Sequence, residues 1–417
     1  MKSILTVFCC LSLVTASLAQ EVELTPMESL EQKTQVIEES LTVLQKFKVS
    51  GYIQTQYQWG EKDASLKIGN SNGNRDESFD RFGIRRGRIK FTYDDGIATG
   101  VFQLDMTEKG VGIKDAYLGI KDPWAGTNVL KAGVFDRTFG NEISYSSSRR
   151  ESPERSTIFQ TLFPEERDLG AALTLQAAKT SPWNFLKLEA GLFTGNGIKQ
   201  ETDNRKDFIG HLSAARNVGS EAKWGLGVSY YNGSVFQGNE NVYKMDGNAF
   251  ILDNNPENKG KFAKREYVGF DGQFSIMSAI GLSQVRVEYL FGTQPATSSN
   301  SKSPNSSTPV ITDTYIRNFS GGYIIIVQDL GQLPLSAVIK YDWYDPNTEV
   351  AKNEVGLKGT GSADLSQNTL GLGMLWRVNK NIRLQAYYEL NNNEKTENLA
   401  VNDIKSDVFT LRLQYKF

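Results

Sequence analysis

A dense run of fixed charge, Arg85-Arg86-Gly87-Arg88-Ile89-Lys90, lies inside the segment FGIRRGRIKFTY at 82–93. In an extended chain successive side chains point to opposite faces. Gly87, Ile89, Phe91 and Tyr93 then share one face, and Arg86, Arg88, Lys90 and Thr92 share the other. Like charges two residues apart repel one another, and at mid-depth in lipid each would cost about 2–4 kcal/mol. The charged face must therefore look onto water. A row of positive charge on a water-filled wall attracts anions and passes them from one position to the next. The competing reading is a wall neutralised by acids opposite, for which Asp105, Glu189, Glu288 and Glu389 are the candidates.

The segment 137–167 is the second concentration of charge. It carries Arg137, Arg149, Arg150, Arg155 and Arg167 against Glu142, Glu151, Glu154, Glu165 and Glu166. This balance suits a plain surface loop. It equally suits a loop folded into a barrel to narrow it, with Ile158, Phe159, Leu162 and Phe163 pinned on the wall. Arginine fits phosphate because its planar fork donates two parallel hydrogen bonds.

Other chemistries find little support. His211 is the sole histidine, which makes a nucleophile–base pair of the hydrolase type hard to build. The two cysteines, Cys9 and Cys10, sit near the start. Beyond them there is no material for a disulfide scaffold or a thiolate metal site. No glycine-rich phosphate loop or metal-ligand spacing is present. The expectation is therefore no catalytic residue, no metal and no cofactor. A net charge of −2 does not suggest a nucleic-acid partner.

Several elements must position these residues. Lys2, the apolar stretch from Ile4 to Val14 and the small residues of Ser17-Leu18-Ala19 read as a cleavable export signal over 1–19. The mature chain would then begin at Gln20. About 11 apolar residues are too few for a membrane helix, which needs roughly 20. A helical segment follows within 20–46, from about Thr25 to Lys46. Thr25 is placed as its cap, Pro26 in the first turn and Glu28 three residues after the cap. Met27, Leu30, Thr34, Ile37, Leu41 and Leu44 repeat at heptad spacing. Two readings stand: an amphipathic helix lying on its own domain, or a short periplasmic coiled coil joining copies of the chain.

From Phe47 the period becomes two, and sixteen strand candidates follow, from 47–58 to 405–417. The joints after even-numbered strands are short, as at Asp94-Asp95-Gly96 and Thr180 to Pro182. Those after odd-numbered strands are long and polar, such as 59–81, 137–167, 233–263 and 345–363; only 107–109 is short. This sorting fits an even-stranded barrel with tight turns at one end and long loops at the other, closed so that no strand edge meets lipid. The last strand alternates Phe409, Leu411, Leu413, Tyr415 and Phe417 with polar residues and stops at Phe417. The fold expected is all-β: a 16-stranded antiparallel transmembrane β-barrel over 47–417, with loop 137–167 folded inward, in outer-membrane lipid.

The chain also resembles the phosphate-selective porins O and P of Gram-negative bacteria over nearly its whole mature length. The resemblance rests on Arg85-Arg86-Gly87-Arg88-Ile89-Lys90-Phe91, on Lys131-Ala132-Gly133-Val134-Phe135 with Phe139-Gly140-Asn141-Glu142, and on Glu154-Arg155-Ser156. Arg167-Asp168-Leu169-Gly170 and Gly191-Leu192-Phe193-Thr194-Gly195-Asn196-Gly197 complete it. Thr138 stands where many members have proline, and Thr194 where asparagine is usual. The resemblance implies a homotrimer whose third loop forms the constriction. It also implies that Arg86, Arg88, Arg149, Arg150 and Arg155, with Lys90 on the same strand face, line an anion path. The function expected is passive diffusion of small solutes with a preference for phosphate or polyphosphate. A general route for small polar solutes and a plugged barrel acting as a surface adhesin are the alternatives.

Overall fold

The computed structural model describes residues 26–74, 76–305, 310–400 and 404–417, so the expected signal over 1–19, Gln20 and the Thr25 cap lie outside the described residues. Contacts divide the chain into two units, one ending at Phe47 and one spanning Lys48–Phe417. The first contains a single described helix, α1 (Pro26–Lys46). Among the described residues, no helix is long and apolar enough to cross a membrane.

The second unit is built from strands. In chain order they are β1 (Phe47–Gly60), β2 (Phe79–Asp94), β3 (Ala98–Thr107), β4 (Gly110–Lys121), β5 (Val129–Asp136), β6 (Arg167–Gln176), β7 (Leu186–Phe193), β8 (Asp207–Val218) and β9 (Ala222–Phe236). After a hairpin of β10 (Asn241–Asp246) and β11 (Ala249–Asn254) come β12 (Phe262–Ser278), β13 (Gly281–Ala296), β14 (Thr314–Asp329), β15 (Leu335–Asp345), β16 (Gln367–Arg377), β17 (Ile382–Asn393) and β18 (Val408–Lys416). A short helix, α2 (Thr157–Leu162), lies between β5 and β6. Consecutive strands pair antiparallel, β12 continues from β9, and β18 returns to β1. Sixteen strands thus close into a barrel, with β10 and β11 standing outside the ring.

The seam runs in register from Tyr52↔Lys416 to Gly60↔Val408. Gly51 and Phe417 exchange both backbone bonds at 3.0 Å. Inside the seam Gln54 donates to Gln414 at 2.7 Å and Gln58 to Thr410 at 3.0 Å. Outside it, Ile53, Leu411, Leu413 and Tyr415 are exposed. Apolar side chains out and polar side chains in is the inversion a lipid-embedded barrel requires, because strands expose their apolar face to acyl chains while closure satisfies the backbone.

The short turns are fixed by side chains. Asp122 accepts the backbone N–H groups of Trp124, Ala125, Gly126 and Asn128 at 2.6–3.3 Å. These donors hold its carboxyl down at about 2. At the opposite end, the long loop 233–263 departs from expectation, because it contains the β10–β11 hairpin. Asp246↔Ala249 closes that hairpin around Gly247, whose φ is +59°. β10 also runs parallel to the start of β14, from Val242↔Thr314 to Lys244↔Ile316.

The main apolar cluster lies within the ring. Phe139, Ile143, Ile158, Phe159, Leu162 and Phe163, all from the segment after β5, pack with inward aromatics including Tyr231, Tyr267, Phe319 and Tyr323. Phe163 sits 5.0 Å from Phe139, 5.9 Å from Tyr231 and 5.7 Å from Tyr267 between ring centres.

Candidate pore constriction

The segment between β5 and β6 reaches several walls of the barrel. Thr138 donates to the Ile209 carbonyl at 3.1 Å, and the Gly140 N–H donates to Ser229 at 2.8 Å. On β13, Glu288 accepts the Asn141 N–H at 3.0 Å, the Glu142 N–H at 2.5 Å and the Tyr323 hydroxyl at 2.7 Å. Gly140 has φ +58°, and a Cβ there would lie 2.2 Å from the Glu288 carboxylate. Only glycine accepts both conditions. Further on, Tyr52 and Gln54 of β1 hold Ser147, and Arg412 of β18 donates to the Pro153 carbonyl at 2.8 Å. Thr157, at the start of α2, donates its N–H to Asp342 of β15 at 3.1 Å. Lys340 on the same strand pairs with Glu142 at 3.1 Å.

Glu154 organises the charge on the β1–β2 side. Arg85 grips its carboxylate with two bonds of 2.8 Å, Arg86 adds one at 2.8 Å and Arg412 one at 3.0 Å. Burial pushes this carboxyl up, but the three guanidinium groups outweigh it and hold it well below the usual carboxylate range. Arg85 and Arg86 are neighbours yet both reach the same acid, so strict alternation fails at that point of β2.

Glu166 forms a second hub, pairing with Arg155, with Lys114 at 2.6 Å and with Arg167 at 3.3 Å. Burial again opposes ionisation, and the three cations again overcome it. Lys114 reaches this hub through a β-bulge. The β3–β4 register passes from Gln103↔Asp115 to Leu104↔Ile113, leaving Lys114 as the extra residue. A bulge re-aims a side chain that alternation would send to the other face. Arg88 completes the group, with Asp105 at 2.9 Å and Ser147 at 3.0 Å.

Two cavities meet here. One, of about 440 Å³, is lined on the long-loop side by Lys67, Arg85 and Arg86 and contains Glu154 and Glu166. The other, of about 350 Å³, is lined by Lys90, Arg149 and Lys416 and extends to Ser50 at the start of β1. Arg88, Arg155 and Arg167 line both.

Of the six residues expected to line an anion path, Arg86, Arg88 and Arg155 lie on these cavities in ion pairs. Lys90 and Arg149 line the second cavity, and no ion pair among the described residues joins either. Arg150 departs from the expectation. It is buried, lines neither cavity, and its guanidinium has no hydrogen-bond partner among the described residues. Of the four candidate acids, Asp105 neutralises Arg88. Glu288 clamps the crossing segment instead, and Glu189 pairs with Lys187 at 2.6 Å. Glu389 lines a third cavity of about 310 Å³ beside Asp342.

Sequence reasoning passed over Arg85, Lys67, Lys114 and Arg412. Arg412 was legible as a cation on the polar face of the last strand. Arg85 and Lys114 were hidden by broken alternation, and Lys67 by its place in a loop. His211 faces Asp271 at 2.8 Å on a further cavity, of about 650 Å³.

No protein-family model matches this chain, and no curated protein matches it in sequence. Solved structures do match. OprB of Pseudomonas putida aligns over 93% of this chain and 96% of its own, with a TM-score of 0.56 and 10% identity. OmpF of Salmonella typhi, solved with daunomycin, aligns over 89% and 97%, with a TM-score of 0.55 and 14% identity. The trimer form of OmpT of Vibrio cholerae aligns over 89% and 99%, with a TM-score of 0.50 and 12% identity.

The fold is that of an outer-membrane porin. In this porin-type barrel a segment from between two strands lies inside the ring, anchored to β1, β13, β15 and β18. The narrower likeness to the phosphate-selective porins O and P rests on the sequence motifs alone.

Proposed function

We propose that the protein is a passive diffusion channel of a Gram-negative outer membrane that prefers small anions, phosphate among them, and works without catalysis or cofactor. The observation carrying this reading is the excess of cations on two adjoining cavities. Seven lysines and arginines face four acids on the first, and six face two on the second. A narrow, low-dielectric passage with that imbalance raises the local concentration of anions. Arg88, Arg155 and Arg167 form the shared neck, and Lys90 and Arg149 offer charge beyond it that is unpaired among the described residues.

The trimer form of the Vibrio OmpT, together with the apolar side chains exposed on the outside of this barrel, supports a homotrimer in lipid. A general channel for small polar solutes is the second reading. It is favoured by the third cavity, where Asp63, Glu154, Asp342 and Glu389 face only Lys67 and Arg155. Acids and bases on separate walls give a field across the passage rather than a bias of one sign.

Reversal potentials of single channels in a planar bilayer under a KCl gradient separate the two. The anion reading predicts chloride selectivity and partial block by added phosphate, weakened by Lys90→Gln and Arg149→Gln. Unselective or cation-selective current untouched by phosphate favours the general channel. Absence of current favours a plugged barrel with a surface role.

A further inference from the structure

Within its own unit, the apolar stripe of α1 is uncovered among the described residues. Met27, Leu30, Ile37, Leu41 and Leu44 are 74%, 64%, 58%, 50% and 64% exposed. They recur at heptad positions a and d, with Thr34 at the remaining a position. Thr34 satisfies its hydroxyl within the helix, donating to the Leu30 carbonyl at 2.8 Å, so it brings no unmet polar demand to the stripe. An exposed stripe of this kind on a 21-residue helix, about 31 Å long, needs an occupant.

Charge decides between occupants. The helix contains four glutamates and two lysines, the reverse of the lysine-rich polar face that binds an anionic lipid surface. In the heptad frame Lys33 falls at g and Glu38 at the following e. In a parallel assembly the g side chain of one helix meets the e side chain of its neighbour five residues on, so Lys33 faces Glu38 of the next copy. An antiparallel pairing would set g against g and e against e, putting like charges together. Leucine at a with isoleucine at d, as in Leu41 and Ile37, shifts preference away from two strands toward three or four.

We propose that α1 is a parallel self-association helix, pairing with the same helix of two other copies through the Met27–Leu44 stripe, with Lys33–Glu38 contacts setting direction and register. The proposal rests on the homotrimer reading above and is independent of anion preference. Three heptads are marginal alone, so the helices add to an association rather than create it.

Disulfide trapping in the full chain, in outer membranes, tests this. Residues beyond Cys10 include no cysteine, so the unsubstituted protein serves as the blank. Leu41→Cys lies on the seam and Thr42→Cys, one residue on, faces away. Under mild oxidation Leu41→Cys should give covalent dimers at least about fivefold above Thr42→Cys, because a and d side chains meet across the seam and b side chains do not. Lys33→Glu should lower the temperature at which the native oligomer dissociates, and Lys33→Glu with Glu38→Lys should restore it. Equal or absent trapping at the two positions, with the oligomer intact, overturns the helix proposal alone. A native mass equal to one chain overturns it together with the homotrimer reading. Conductance, read in parallel, reports on the channel reading separately.

Discussion

At the scale of single residues, Glu166 sets how much of the neck's positive charge a solute can use. Its carboxylate holds Arg155, Lys114 and Arg167. Its backbone sits at φ 63°, as does that of Glu165. Two adjacent non-glycine residues in the left-handed region cost on the order of 1–3 kcal/mol each, so the surrounding contacts must over-determine them. Glu166→Gln keeps the size of the side chain and removes its charge. A unit charge about 4 Å away is worth about 1 kcal/mol even at water-like screening, and more in a narrow passage. The ratio of anion to cation permeability should therefore rise about fivefold or more, read as a shift in reversal potential; an unchanged ratio would remove Glu166 from the ion path. The same residue shows why part of the site was not legible. Alternation along β4 assigns Lys114 to the lipid side, and only the bulge opposite Gln103–Leu104 turns it inward.

At the scale of elements, α2 works as an anchor. Its apolar residues are buried against inward aromatics, and Phe163, just after it, contacts three rings. Truncating a buried phenylalanine costs about 3–5 kcal/mol. Phe163→Ala should leave the barrel closed, since every strand pairing is untouched, but free the crossing segment. Larger and noisier single-channel conductance, with unchanged heat-resistant migration on gels, is the expected signature. The strands themselves were readable in outline. The expected 82–93 became Phe79–Asp94, and 47–58 became Phe47–Gly60, because period-two alternation is enforced by lipid on one side and water on the other. The β10–β11 hairpin escaped because its strands are six residues each and their alternation is interrupted. Its turn, Asp246-Gly247-Asn248, carried the available signal. The short helix α2 had none, since six residues cannot establish a helical period; its apolar residues were legible only as a group that wanted a wall.

At the scale of the whole molecule, ionic strength should act on selectivity, and acid on the stability that the two carboxylate hubs contribute. The Debye length falls from about 10 Å at 0.1 M salt to 3 Å at 1 M, so anion preference should fade as salt rises. Acid should leave the Glu154 and Glu166 hubs charged through the ordinary carboxylate range. Glu154 and Glu166 are held well below it by their cations, while arginines keep their charge. Because the native values are depressed, the stability these two acids contribute is fully present above the unfolded carboxylate range. It is lost only as pH falls through the lower native values. Unfolding midpoints of the unsubstituted barrel and of Glu166→Gln that already converge between pH 7 and 5 would contradict this arrangement. The seam between β1 and β18 has a consequence of another kind. The partner of Tyr52 is Lys416, so the first strand cannot be completed until residue 416 has left the ribosome. No prefix of the chain is a smaller working barrel. Each nascent intermediate carries two raw edges that invite aggregation, and it must be kept unfolded in transit until the final strand arrives.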